Sequence, residues 1–134
     1  MPFARLATLC LSSLVAVFGC SKGGSAAKSI QVGGLYTTQD EDGSWRVTKV
    51  LAVDDDAVHL RSYANKFAEQ PKDVDPAELT LGGLQDPAGF GIGHFPVAKT
   101  SFFADNPLFL KVTPVMEEEL EGYKLYLEAM NEGR

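Results

Sequence analysis

Residues 35–63 constrain the fold more than any other stretch, because they read as three strands joined by two acidic turns. The first, LYTTQ (residues 35–39), runs into Asp40, Glu41, Asp42, Gly43 and Ser44. Asp-Gly is a hairpin signal, since glycine accepts the positive φ that tight turns demand. WRVTKVLAV (residues 45–53) follows and is rich in β-branched residues. Its apolar positions lie on one face early (Val47, Leu51, Val53) and on both faces late (Val50, Ala52), as expected where a strand bends at a barrel corner. Asp54, Asp55 and Asp56 make the second turn. AVHLRSY then alternates, with Val58 and Leu60 on one face and His59, Arg61 and Tyr63 on the other. A meander of this kind predicts an α+β domain built on a small SH3-like antiparallel β-barrel or meander.

The rest of the domain is less regular. Asp75, Pro76 and Glu78 have the chemistry of a capped single helical turn. Residues 82–96, with five Gly and two Pro, predict a long surface loop. A short helix is expected over residues 97–104, ending at Asn106-Pro107 because the residue before proline is pushed out of the helical region. Residues 108–112 (LFLKV) predict a further strand. Thr113 as N-cap, Pro114 at the first helical position and Glu117 to Glu119 near the positive end of the dipole predict a C-terminal amphipathic helix. Its apolar stripe is Met116, Leu120, Tyr123, Leu127 and Met130, expected to dock on the barrel. Gly122 in that helix suggests a close backbone approach.

The amino end has a different character. After Arg5, residues 6–18 are thirteen uncharged, mostly apolar residues. That is short of the roughly twenty needed to span a bilayer, and is the build of an export signal. The run stops at Val17-Phe18-Gly19-Cys20. VFGC resembles the lipobox of bacterial lipoproteins, with Phe18 where a smaller residue is usual. The resemblance implies a signal peptide over residues 1–19, with Cys20 as the lipidated first residue of the mature chain, carrying acyl chains such as palmitate. Two or more chains give stable anchoring. A second cut site, in SAAK at residues 25–28, would instead discard Cys20. Ser21 is not the acidic residue that retains many lipoproteins in the inner membrane, so the resemblance implies an outer-membrane protein facing the periplasm. Residues 20–29 then form the lipidated cysteine and a flexible tether, and residues 30–134 a single globular domain.

Charge narrows the partners. The chain carries a net −6, and loss of residues 1–19 removes only Arg5, giving −7 for the mature chain. Such a domain is repelled by nucleic acid and anionic headgroups. Its cations Lys49, Arg61, Lys66, Lys72, Lys99, Lys111 and Lys124 are scattered singly, so no nucleic-acid partner is expected. The two cysteines, Cys10 and Cys20, leave the mature chain without a disulfide.

No catalytic constellation is visible, and neither a cofactor nor a metal site is expected. Gly89, Gly91 and Gly93 lack the spacing of a dinucleotide fingerprint. Aligning Gly43 with the glycine of a calcium loop puts Thr38 and Lys49 at ligand positions that need carboxylates. The candidate binding face is Trp45, His59, Arg61 and Tyr63 with Phe90 and His94 from the glycine-rich segment, because aromatic residues and arginine compose interaction hot spots. A terminal helix or loop covering that face is the structural alternative. The expected function is a non-enzymatic binding module for a protein or envelope polymer. An acidic periplasmic inhibitor or immunity protein and a small hydrolase using His94 are the rivals.

Overall fold

The computed structural model describes residues 29–87 and 89–133. The expected signal peptide, Cys20 and most of the expected tether lie outside the described residues. The elements run β1 (Gly34–Gln39), β2 (Trp45–Val53), β3 (Ala57–Phe67), a 3₁₀ turn (Pro76–Glu78), β4 (Ile92–Ala98), α1 (Lys99–Ala104), β5 (Leu108–Val112), a second 3₁₀ turn (Glu117–Leu120) and α2 (Glu121–Glu132). All ladders are antiparallel and the sheet order is β4-β3-β2-β1-β5. The fold is therefore α+β on a five-stranded sheet that is not closed, with β4 and β5 at its edges.

The two hairpins form as their sequences dictate. Gly43 takes φ 88°, and Asp42 Oδ1 accepts from both the backbone N–H and the hydroxyl of Ser44. At the second turn Asp54 Oδ1 accepts from the amides of Asp56 and Ala57 at 3.0 and 2.7 Å. Because side chains alternate along a strand, the sheet buries one cluster on each face. Tyr36, Val50, Val58 and Leu60 pack with Phe102 of α1. Leu35, Val47 and Tyr63 pack with Val74, flanked by Leu79 and Leu81. The 3₁₀ turn that carries the second cover is capped as expected, Asp75 Oδ1 accepting from Ala77 N.

Two expectations are corrected. Residues 82–96 are not one long loop: Ile92–Ala98 is an edge strand paired to β3, with Leu60 opposite Phe95 and Ser62 opposite Ile92. Two β4 residues, Gly93 and His94, thus face the single Arg61, the count of a β-bulge. Pro96 is tolerated because an edge strand can spare one amide, and Gly91 is required because a Cβ there would run into the Ser62 carbonyl. Second, the terminal helix does not start at Thr113 and Pro114. Thr113 donates to Gly33 O through both its amide and its hydroxyl, so the chain stays extended to Met116 before turning. The apolar stripe is accordingly only half covered: Met116, Leu127 and Met130 are exposed, whereas Leu120 and Tyr123 are half-buried. Among the described residues no helix is long and apolar enough to cross a membrane.

Candidate functional site

The face of β2 and β3 that carries Lys49, His59, Arg61 and Tyr63 receives the C-terminal segment, and it does so through two polar clasps. The first is Lys49. Its Nζ donates to Pro114 O at 2.6 Å and to the Glu119 carboxylate, whose two oxygens lie 2.9 and 3.1 Å away. The pair is nearly dry, with side-chain exposures of 5% and 11%. Glu119 Oε1 also accepts the amide of Met116 at 2.9 Å, fixing the turn that leads into α2.

The second clasp is a chain of three side chains. Asp54 Oδ2 meets His59 Nε2 at 2.7 Å, and His59 Nδ1 meets His94 Nε2 at 2.9 Å. The two imidazoles are nearly parallel, 10° apart with centroids 5.1 Å apart. Tyr123 and Tyr126 of α2 close over them, their rings 4.5 and 4.9 Å from that of His59, which is fully buried. Gly122 is needed here, since a Cβ would lie 2.5 Å from His94 Cβ.

The order of partners fixes the protons. The Asp54 carboxyl is held below its ordinary value, first by the His59 hydrogen bond and then by the Ala57 amide. It therefore accepts, and His59 Nε2 carries a hydrogen. With both rings neutral, His94 Nε2–H donates to His59 Nδ1. Protonation of both rings would place N–H against N–H, so the link must break. Consistent with this, His94 is pushed below its ordinary value by burial and then by the His59 charge.

Against the Lys49 clasp, bounded on its other side by residues 76–79, lies a groove of about 450 Å³. Its polar wall is Lys49, Arg61, Tyr63 and Glu119, and its apolar wall includes Leu35, Leu79, Pro114 and Met116. Arg61 Nε is buried without a hydrogen-bond partner, its nearest acidic oxygen being Glu119 Oε2 at 3.9 Å. The guanidinium carbon sits 6.0 Å from the Tyr63 ring centroid. Burial raises the Tyr63 phenol above its ordinary value and the Glu119 charge adds to this, while Arg61 pulls the other way; the phenol stays protonated at neutral pH.

Of the six residues expected at a binding face, the structure brings His59 to His94 and Arg61 to Tyr63. Trp45 pairs with Phe67 at the other end of the β2–β3 ladder, and Phe90 is exposed on a bridge to Gly82; neither lines the groove. α2 covers His59, residues 74–81 cover Tyr63, and Arg61 is left between them. Sequence reasoning missed Lys49 and Glu119. The signal was present, since Lys49 shares strand parity with Val47 and Leu51 and so had to face inward.

Chemically, Asp54 and His59 orient His94 as a carboxylate orients a general base. Among the described residues no hydroxyl or thiol is hydrogen-bonded to His94, and neither the groove nor the crevice beside Asp54 includes it in its walls. Among the described residues no group of three or more ligating side chains could hold a metal ion. The arrangement fits a clasp that seats a helix beside a polar groove. No family model, curated protein or solved structure matches the chain.

A prediction isolates the clasp. Gly122→Ala should gain about 1 kcal/mol of helix propensity yet lose about 1–3 kcal/mol to overpacking against His94. Chemical denaturation should show a net loss; a net gain would mean that α2 does not pack on the histidines.

Proposed function

We propose that this chain is a lipid-anchored envelope protein whose domain is a non-enzymatic binding module, with the Arg61 groove as its recognition surface. The observation that carries the reading is the buried, unpartnered Arg61 Nε in a groove within the roughly 300–1,000 Å³ range of ligand clefts. A buried donor without a partner costs about 1–3 kcal/mol, and a ligand oxygen that lets the guanidinium turn toward it recovers that cost. The lipobox-like VFGC supports anchoring through Cys20 at the outer membrane, on its periplasmic side, and residues 21–29 supply a tether between lipid and domain. The SH3-like barrel belongs to the same reading: register shifts in three of the four ladders bend the strands, in the way a sheet rolls toward closure.

Two measurements test it. The intact mass of the native protein should show a chain that starts at Cys20 and carries a diacylglyceryl group; an unacylated terminus near Lys28 would remove the anchor. Capture from detergent-solubilised envelopes by the intact chain should yield a component that Arg61→Ala with Tyr63→Phe, which keeps the buried ring, loses by at least about tenfold, as truncation of a buried hot spot does. Unchanged capture by the double variant would refute the groove as the contact surface. The net charge of −6 favours a second reading, an inhibitor of a basic toxin or enzyme, for which the captured component would be a basic exported protein.

A further inference from the structure

Resting on the groove reading above, we propose that the group recognised at Arg61 is a single carboxylate carried on a compact apolar body. Lys49 is committed to Pro114 O and to the Glu119 carboxylate. Glu119 in turn is engaged by Lys49 and the Met116 amide, and it stays 3.9 Å from Arg61. The ion pair is thus self-contained, and Arg61 keeps a guanidinium whose planar fork matches a carboxylate. The protonated Tyr63 phenol is a second donor beside it. Opposite them Leu35, Leu79, Pro114 and Met116 offer an apolar wall.

Charge selects among anions. With Lys49 and Glu119 neutralising each other, Arg61 supplies one positive charge, opposed by the exposed Glu118 at the groove mouth and by the net charge of the whole chain. A dianion or polyanion is disfavoured there, whereas one carboxylate is matched. The group can come from a free organic acid or from the end of a peptide.

The test is an NMR titration of the full ¹⁵N-labelled chain in detergent, read at the Arg61 Nε–H resonance. The probes are N-acetyl-leucine, acetyl-Gly-Ala-Ala-Leu, the carboxamide of each, and inorganic phosphate. Both acids should move the resonance saturably and the carboxamides should leave it in place. Tighter binding of the peptide acid assigns a chain terminus as the source, and equal binding assigns a free acid. Arg61→Lys, which keeps the charge and loses the fork, is followed at the backbone amides of Lys49, Tyr63 and Met116 and should weaken the acids by at least about tenfold. Acids and carboxamides acting alike, phosphate binding as tightly as the acids, or no movement up to about 10 mM, weaker than any useful affinity, would each overturn the proposal. If the acids fail while the Arg61 and Tyr63 double variant still loses the captured envelope component, the groove reading stands and the carboxylate falls. If the acids bind and capture is unchanged, the carboxylate site stands without that role.

Discussion

Replacing Lys49 with alanine should lower stability by about 3 kcal/mol, because it leaves the nearly buried Glu119 with only the Met116 amide in hydrogen-bond reach and Arg61 at 3.9 Å. A surface pair would give only about 0–1 kcal/mol. The loss has a structural address. Lys49 joins β2 to the extended segment at Pro114 and to the turn at Glu119, so its removal releases residues 114–132 before the sheet. Amide exchange in α2 should therefore accelerate by about 100-fold, the equivalent of about 3 kcal/mol, while exchange in β2 and β3 changes less. The double variant Lys49→Met with Glu119→Gln should recover most of the loss, since a buried pair replaced by a matched uncharged pair is close to neutral. A loss under 1 kcal/mol for Lys49→Ala, or uniform acceleration across the sheet, would show that the pair does not hold the segment.

The second large effect belongs to His59. His59→Ala removes a fully buried ring and leaves Asp54 Oδ2 and His94 Nε2 without their partner. The expected cost is about 3 kcal/mol, in the range for deleting a large buried ring. Acid should act on the same clasp in the wild type. His94 titrates lower in the folded chain than in the unfolded chain, where its value is 6.5. Below that pH the unfolded state binds more protons than the folded one, so stability is fully present above about 6.5 and is lost as pH falls toward the folded value. Asp54, also lowered, continues the loss below its unfolded value of 3.8. The thermal midpoint should fall between pH 7 and pH 5. His94→Gln, which retains an amide donor toward His59 and does not titrate, should flatten that limb. A wild-type midpoint independent of pH across this window would contradict the proton assignment.

Much of this architecture was legible in the sequence, and the failures have physical causes. β1 to β3 could be read because alternation, β-branched residues and the Asp42-Gly43 turn agree with one another. β4 could not, because GFGIGHFP carries the residues of a loop for tertiary reasons. Gly91 is there to let the backbone pass Ser62, and Pro96 sits on an edge. The start of the last helix misled for the opposite reason. Thr113 and Pro114 satisfy local capping chemistry, but pairing with Gly33 holds that stretch extended. Each histidine could be named as notable, yet nothing in the sequence places position 94 beside position 59. Their contact depends on the β3–β4 ladder and its bulge, and therefore on the strand the composition concealed.

Photo-crosslinking in intact cells tests the central claim, that the Arg61 groove is where this domain meets its partner. A photoreactive residue at position 116, on the exposed apolar wall of the groove, should give a covalent adduct that disappears when Arg61→Ala is added; the same residue at position 84, far out on an exposed turn, should give none. An adduct at position 116 that survives Arg61→Ala unchanged, or adducts formed equally from position 84, would contradict it.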